Sequence, residues 1–344
     1  MYTIGNEGGE DTINKINANF QELSNQGGGV SPYTDTQCKQ RFIQEMNKKA
    51  ALLGMTYTTF GDPAGNQPVL MDWPNYQTTY PELFIVDSAN EMAAIDALRL
   101  ITYASGIRHI NDAWNIRQFT LNYKNGNTSK SATINSTVFI SGSYQSSIDA
   151  LLGDYDILGG KTGSFPYSPY NANTLVVIAR SKSTGKIYAV VDFSTTTGTS
   201  SSNNKFIDTK SILDHVDKNG AAPSFSKGFA RIYELPFVTT SLFNRADITP
   251  LYSYGADAVS YPASVTKVMT AILLNDYIVD LNQPVTIHES DRQPPTGTNF
   301  VAGDVLTLSE LLQCMLMESS NTSAHAIARV VGGILLDKDN NPLT

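Results

Sequence analysis

The sequence predicts an α+β fold, and three observations predict it. Two runs rich in β-branched residues, Thr174–Ala179 and Ile187–Asp192, flank a Ser183-Thr184-Gly185 turn and read as a hairpin. Apolar residues recur at helical spacing in several separate stretches, each long enough for a helix. Helices and strands therefore come in groups, without the regular strand–helix alternation that builds a parallel sheet.

Taken in order, residues 1–30 stand apart. Ile13, Ile16, Phe20 and Leu23 form a short amphipathic seam, closed by Gly27-Gly28-Gly29. From Asp35 to Gly54, Phe42, Met46, Ala50 and Leu53 share one helical face, and Gly54 suits a helix end. A second helix is expected across Asn90–Tyr103, ahead of the hairpin. A polar loop at 197–204 leads to a helix over Lys205–Val216, and 218–228 is a connector rich in Gly, Ala, Pro and Ser. Phe229–Leu235 is strand-like. Ser264–Leu274 is a helix with Val265, Val268, Met269 and Ile272 inward, and Thr307-Leu308-Ser309-Glu310 opens another through Met317 as a capping box.

Composition narrows the function. The 344 residues are 41% hydrophobic and 16% charged, with a formal net charge of −8 and no dense Lys/Arg stripe, so nucleic acid is not an expected partner. Cys38 and Cys314 lack metal-ligand spacing and read as ordinary thiols. No apolar run reaches the ~18 residues of a membrane span, and the first residues lack the basic and apolar regions of a signal peptide.

A serine becomes a nucleophile when a base takes its proton, and a lysine three residues on along a helix is within reach of it. Ser-x-x-Lys occurs at Ser183, Ser202, Ser224 and Ser264, but only Ser264–Lys267 lies at the start of an apolar helix, facing free backbone N–H groups. A second element is Ser319-Ser320-Asn321, between two helices. A third is Lys161-Thr162-Gly163. The Gly-Gly-Lys-Thr run is not a phosphate loop, because Tyr155 stands where that loop needs glycine. His109, His215, His288 and His325 are scattered singly and read as ordinary histidines, and Asp337–Asn341 reads as a polar turn.

Together the three elements resemble the motif set of the penicillin-binding proteins and related β-lactamases. YPASVTKVMTAILL resembles the nucleophile helix of the D-alanyl-D-alanine carboxypeptidases, and LTLSELLQCMLMESSNTSAHAIARVVGG the segment carrying their Ser-x-Asn. FIQEMNKKAALLGMTYTTFGDPAG resembles the helix and loop that follow, ILGGKTGSF their Lys-Thr-Gly strand, and KFIDTKSILDHV their C-terminal helix. The order differs from the family's: Lys161-Thr162-Gly163 comes first. The chain reads as circularly permuted, with 31–217 the family's C-terminal part and 229–344 its N-terminal part, joined by 218–228. This requires residues near Cys38 and Thr344 to be neighbours, within one chain or across a swapped homo-oligomer. Residues 5–23 resemble the N-terminal piece of bacteriophage tail and fibre proteins.

The resemblance implies an antiparallel sheet flanked by helices plus a helical subdomain. It implies Ser264 as nucleophile, Lys267 as base, Ser319 as proton relay, Asn321 holding the substrate amide, and Lys161 and Thr162 facing the substrate carboxylate. The N–H groups of Ser264 and Ser164, beside Gly163, would form the oxyanion hole. Lys267 must then be neutral, with its pKa ~3 units below the ordinary lysine value, driven by burial and by Lys161. No cofactor or metal is implied. The expected partners are peptidoglycan stem peptides, β-lactams as covalent inhibitors and, through residues 1–30, other phage tail proteins, on a virion acting at the cell wall. A β-lactamase or esterase, or a non-enzymatic wall-binding tail protein, are the alternatives, and carboxypeptidase and endopeptidase stay undivided.

Overall fold

The computed structural model describes residues 32–66, 89–167, 170–196, 205–221, 229–235, 250–294 and 296–340. The amphipathic segment at 1–30, the polar loop 197–204, most of the 218–228 connector and Thr344 lie outside the described residues.

Helix α1 (Asp35–Leu52) starts at a capping box, with the Thr34 hydroxyl accepting from the Gln37 N–H and the Gln37 side chain returning to Thr34. It ends where Gly54 takes a positive φ of 69°. The helix expected from Asn90 begins later. Met92–Ala93 is a short strand, β1, and α2 runs over Ala94–Ser105, followed by α3 (Arg108–Trp114). The Asn90 side chain is committed to the loop before it, accepting from Gly61 and Asp62 N–H groups and donating to the Asn66 carbonyl.

The hairpin β2 (Gln118–Asn125) and β3 (Thr128–Asn135) was not expected. Its turn carries Asn125-Gly126, with Gly126 at φ 55°, a hairpin signal present in the sequence. Helix α4 (Gln145–Asp154) leads into β4 (Tyr155–Tyr167), β5 (Tyr170–Ser181) and β6 (Ile187–Thr196), the last two longer than their apolar cores indicated. After α5 (Lys205–Lys218) come β7 (Phe229–Leu235), β8 (Tyr252–Tyr254) and β9 (Val259–Ser260). A 3-10 turn at Ala263–Thr266 precedes α6 (Lys267–Tyr277). Strand β10 (Pro284–Thr286), β11 (Asp304–Thr307), α7 (Leu308–Met317) and α8 (Asn321–Asn340) complete the order. Asp337–Asn340 is therefore the last turn of α8; the four residues carry the helix on, so the polar-turn reading is corrected.

The main sheet is antiparallel in the order β4-β5-β6-β7-β8, and a second has the order β10-β11-β2-β3. Because alternate residues of a strand face opposite ways, the main sheet separates two cores. Leu175, Val177, Ala179, Tyr188 and Val190 pack with Ile148 and Leu151 of α4 and Phe206, Ile212 and Leu213 of α5. Val176, Ile178, Ala189, Val191 and Phe193 pack the other way, onto the core built from α1, α2, α6, α7 and α8. This mixed architecture is α+β, as the sequence predicts. Cys38 and Cys314 are both buried and free.

The two ends of the described chain meet. Helix α1 lies against α8, with the Tyr33 hydroxyl 3.1 Å from Asn340 Nδ2 and Arg41 paired with Asp339. Beneath them Asp291 binds both Lys39 of α1, at 3.3 Å, and Arg329 of α8, at 2.8 Å, with Lys39 and Asp291 out of water and Arg329 partly buried. Breaking one partner of such a buried set strands the others and typically costs ~3–5 kcal/mol.

Gly332 lets the two helices touch, since a Cβ there would run into the Cys38 carbonyl. Gly332→Ala should lower the unfolding free energy by ~1–3 kcal/mol in urea denaturation. Gly333→Ala meets only the Cys38 Sγ at an ordinary 3.6 Å and should change little. Equal effects from the two would show that this contact does not set the packing.

Candidate active site

The fold brings Ser264, Lys267, Ser319, Asn321, Lys161, Thr162, Gly163 and Ser164 to one corner, where the edge strand β4 passes the α6 start and the α7–α8 junction. Ser264 sits in the 3-10 turn and not in the helix itself; α6 begins at Lys267. The residue before it, Ala263, has a positive φ of 48°. A non-glycine residue held there stores of order 1–3 kcal/mol and persists only where its surroundings fix it. Gly65 and Gly163 press on this turn from two sides: a Cβ at Gly65 would strike the Ala263 carbonyl, and one at Gly163 would meet the Pro262 carbonyl at 2.8 Å. Thr174 of β5 also donates to the Pro262 carbonyl, at 3.1 Å.

Lys267 is fully buried, and its Nζ is 2.8 Å from Ser264 Oγ, 2.7 Å from Asn321 Oδ1 and 2.7 Å from the Ala64 carbonyl. The last two can only accept. Asn321's amide nitrogen is spoken for, donating to the Pro294 carbonyl at 3.1 Å, which fixes Oδ1 toward the lysine. A neutral amine has two hydrogens and one lone pair. With both hydrogens taken, the lone pair is left for the Ser264 hydroxyl. Burial pushes the Lys267 pKa down to about 7, against the opposing pull of the Asp62 carboxylate. The neutral lysine expected from sequence is thus accessible, but burial supplies the shift.

Lys161 is also fully buried, with Nζ 2.9 Å from Ser319 Oγ and 2.8 Å from the Thr162 carbonyl. Burial first, then the Lys267 and Lys205 cations, hold its pKa well below the ordinary value. Its amine is directed at Ser319. Ser319 ends α7 in the left-handed region, at φ 72°, its carbonyl accepting from Thr296 Oγ1 at 2.7 Å. That turn lets Asn321 open α8 four residues after α7 ends at Met317. Thr162 is held by Thr137, whose hydroxyl is 2.6 Å away.

Sequence reasoning missed two groups. Lys205, at the start of α5, places Nζ 3.1 Å from Ser164 Oγ and 3.0 Å from the Gly163 carbonyl; burial lowers its pKa to about 8, against Asp192. Ser164 itself is exposed, so Lys205 is the cation standing behind the open end of the corner. The second is Asp62 with His325. His325 is not an ordinary surface histidine: it is 2% exposed, and its Nε2 lies 2.9 Å from Asp62 Oδ2. The Asp-Pro-x-Gly turn sequence at 62–65 was the available signal for Asp62. Nothing in the isolated His325 pointed to its partner 263 positions away. No group of three or more His, Cys, Asp or Glu among the described residues is arranged to hold a metal.

The lysine shift fixes a dependence of stability on pH. Folding favours the neutral form of Lys267, so between about pH 7 and the ordinary lysine value of ~10.4 the unfolded chain binds more protons. This group's contribution to stability therefore rises with pH across that window and is least favourable below pH 7. Lys267→Met should accordingly stabilise the protein by about 3 kcal/mol more at pH 6 than at pH 9, measured by urea denaturation. An equal gain at both values would exclude a titration near pH 7.

Comparison with known proteins adds a partial likeness. Residues 246–336 match the family model described as D-alanyl-D-alanine carboxypeptidase, peptidase S11. A D-alanyl-D-alanine endopeptidase of Haemophilus influenzae is 37% identical over 84 residues, 24% of this chain and 29% of the relative. The chain thus spans less than a third of the length of that relative. No solved structure matches at a significant level. The family match contains Ser264, Lys267, Ser319 and Asn321, while Lys161 and its strand lie upstream of it.

Proposed function

We propose that this chain is a serine DD-peptidase acting on peptidoglycan stem peptides through an acyl-enzyme, with Ser264 as nucleophile and Lys267 as base. One observation carries the reading: the Lys267 amine lies 2.8 Å from Ser264 Oγ with its two other neighbours both obligate acceptors. Ser264 gives its proton to Lys267 and attacks the carbonyl of the penultimate D-alanine. Ser319, bonded to Lys161, passes a proton to the leaving amine, and Asn321 orients the Lys267 amine. The backbone N–H groups of Ser264 and Ser164 receive the oxyanion, where losing one donor costs ~10²–10³ in rate. Thr162, Ser164 and Lys205 offer the hydroxyls and positive charge for a terminal carboxylate. Water then releases the acyl group.

The names of the matched family and relative, a carboxypeptidase and an endopeptidase, support a D-alanyl-D-alanine substrate without dividing the two. The order of parts is read as a circular permutation. The contact of α1 with α8 supports it, since it leaves residues 33 and 340 where one connection could join them. The phage-like sequence at 5–23 supports delivery on a virion tail to the cell wall, with residues 1–30 docking to other tail proteins.

Intact-protein mass after exposure to a penicillin tests the reading. A single-drug adduct is expected on the wild type and none on Ser264→Ala. Its rate of formation should rise with pH through about 7, as Lys267 loses its proton. Drug hydrolysis without an adduct would favour a β-lactamase, and neither adduct nor turnover would leave a wall-binding protein.

A further inference from the structure

Asp62 and His325 lie in the core beneath the site, and the reaction proposed above uses neither. Both are nearly out of water, at 3% and 2% exposure. Asp62 Oδ2 accepts from His325 Nε2 at 2.9 Å, and its Oδ1 accepts the N–H groups of Ala64, at 2.8 Å, and Asn66, at 2.9 Å. The carboxylate therefore closes the 62–66 turn on itself, and the imidazole ties that turn to α8. What the turn presents is the Ala64 carbonyl, one of the two acceptors on Lys267. Its Pro63 carbonyl accepts from Thr270, one turn along α6 from that lysine, at 2.6 Å.

Position along α8 links the two. His325 follows Asn321 by four residues, one helical turn, so both stand on the same face. Asn321 touches Lys267 directly, and His325 reaches it through Asp62 and the turn. The His325 Nδ1 is buried with no hydrogen-bond partner among the described residues.

We infer that the Asp62–His325 pair is a positioning unit for the base: it holds the 62–66 turn so that the Ala64 carbonyl orients Lys267 toward Ser264, and it sets a fixed negative charge near that amine. The inference rests on the reading of Ser264 and Lys267 as nucleophile and base. The other charges around the pair are accounted for. Lys161 approaches from β4 and is bonded to Ser319, and Lys205 stands behind Ser164 near Asp192. Arg329, one turn beyond His325, is engaged by Asp291, as is Lys39.

The test follows two readouts in Asp62→Asn, His325→Ala and His325→Gln. One is the titration of Lys267, seen by NMR in protein labelled with ¹³C-lysine and assigned against Lys267→Met. The other is the rate of penicillin acylation against pH. Asp62→Asn removes a negative charge, so the Lys267 midpoint should fall by about one unit and the rise in acylation should move with it. His325→Ala should slow acylation about tenfold or more. His325→Gln, which can place an amide N–H near the Nε2 position, should recover most of that loss, and it carries the test if the alanine variant does not fold. Folded variants that keep both the wild-type midpoint and the wild-type rate would overturn the inference. A wild type that is never acylated, with a Lys267 midpoint that still falls in Asp62→Asn, would sink the proposed reaction and leave the Asp62–Lys267 link standing.

Discussion

Three lysine amines buried in one corner, none ion-paired with a carboxylate among the described residues, are the constraint around which the rest of the structure is arranged. Lys161, Lys205 and Lys267 end on carbonyls, hydroxyls and one amide oxygen. Taking an ammonium group out of water without a counter-ion disfavours its charged form, and the three pKa values fall accordingly. Elsewhere the protein follows the opposite rule. Lys39, equally buried, sits on Asp291, which also binds Arg329. The contrast separates a corner of unpaired buried amines from a scaffold held by buried ion pairs.

Four stretches far apart in sequence make that corner: the 62–66 turn, β4, the 3-10 turn before α6, and the α7–α8 junction. Their relative placement rests on backbone proximity more than on side-chain reach. Gly65 and Gly163 bring two main chains against Ala263, and Ser319 and Ala263 take strained backbone angles on either side. An active site is defined by geometry and role, so the order in which the chain visits these stretches leaves the chemistry unchanged.

Much of this was legible in the residues, and what was not has physical reasons. The capping box at Thr307 is local, involves residues three apart, and stands where the sequence puts it. The β5–β6 hairpin was visible from its β-branched apolar runs and the turn between them, but its ends were not, because pairing continues into polar residues once the register is set. The β2–β3 hairpin alternates weakly, since one face is largely in water, and the Asn-Gly turn was its clearest sign. The three motifs name the residues that meet at this corner without revealing that the Lys161 amine lies on Ser319. His325 and Lys205 were opaque because their partners are distant in sequence and their burial is a tertiary property.

The meeting of Tyr33 with Asn340 has a mechanical consequence. The described residues begin and end at one point, at the far end of α8 from Asn321, a separation of ~28 Å at 1.5 Å per residue. Tension applied through both ends would load the α1–α8 seam as a zipper, one contact at a time, and would not shear the five-stranded sheet. The Ser264 corner, at the other end of that helix, would stay unstrained until the seam had opened.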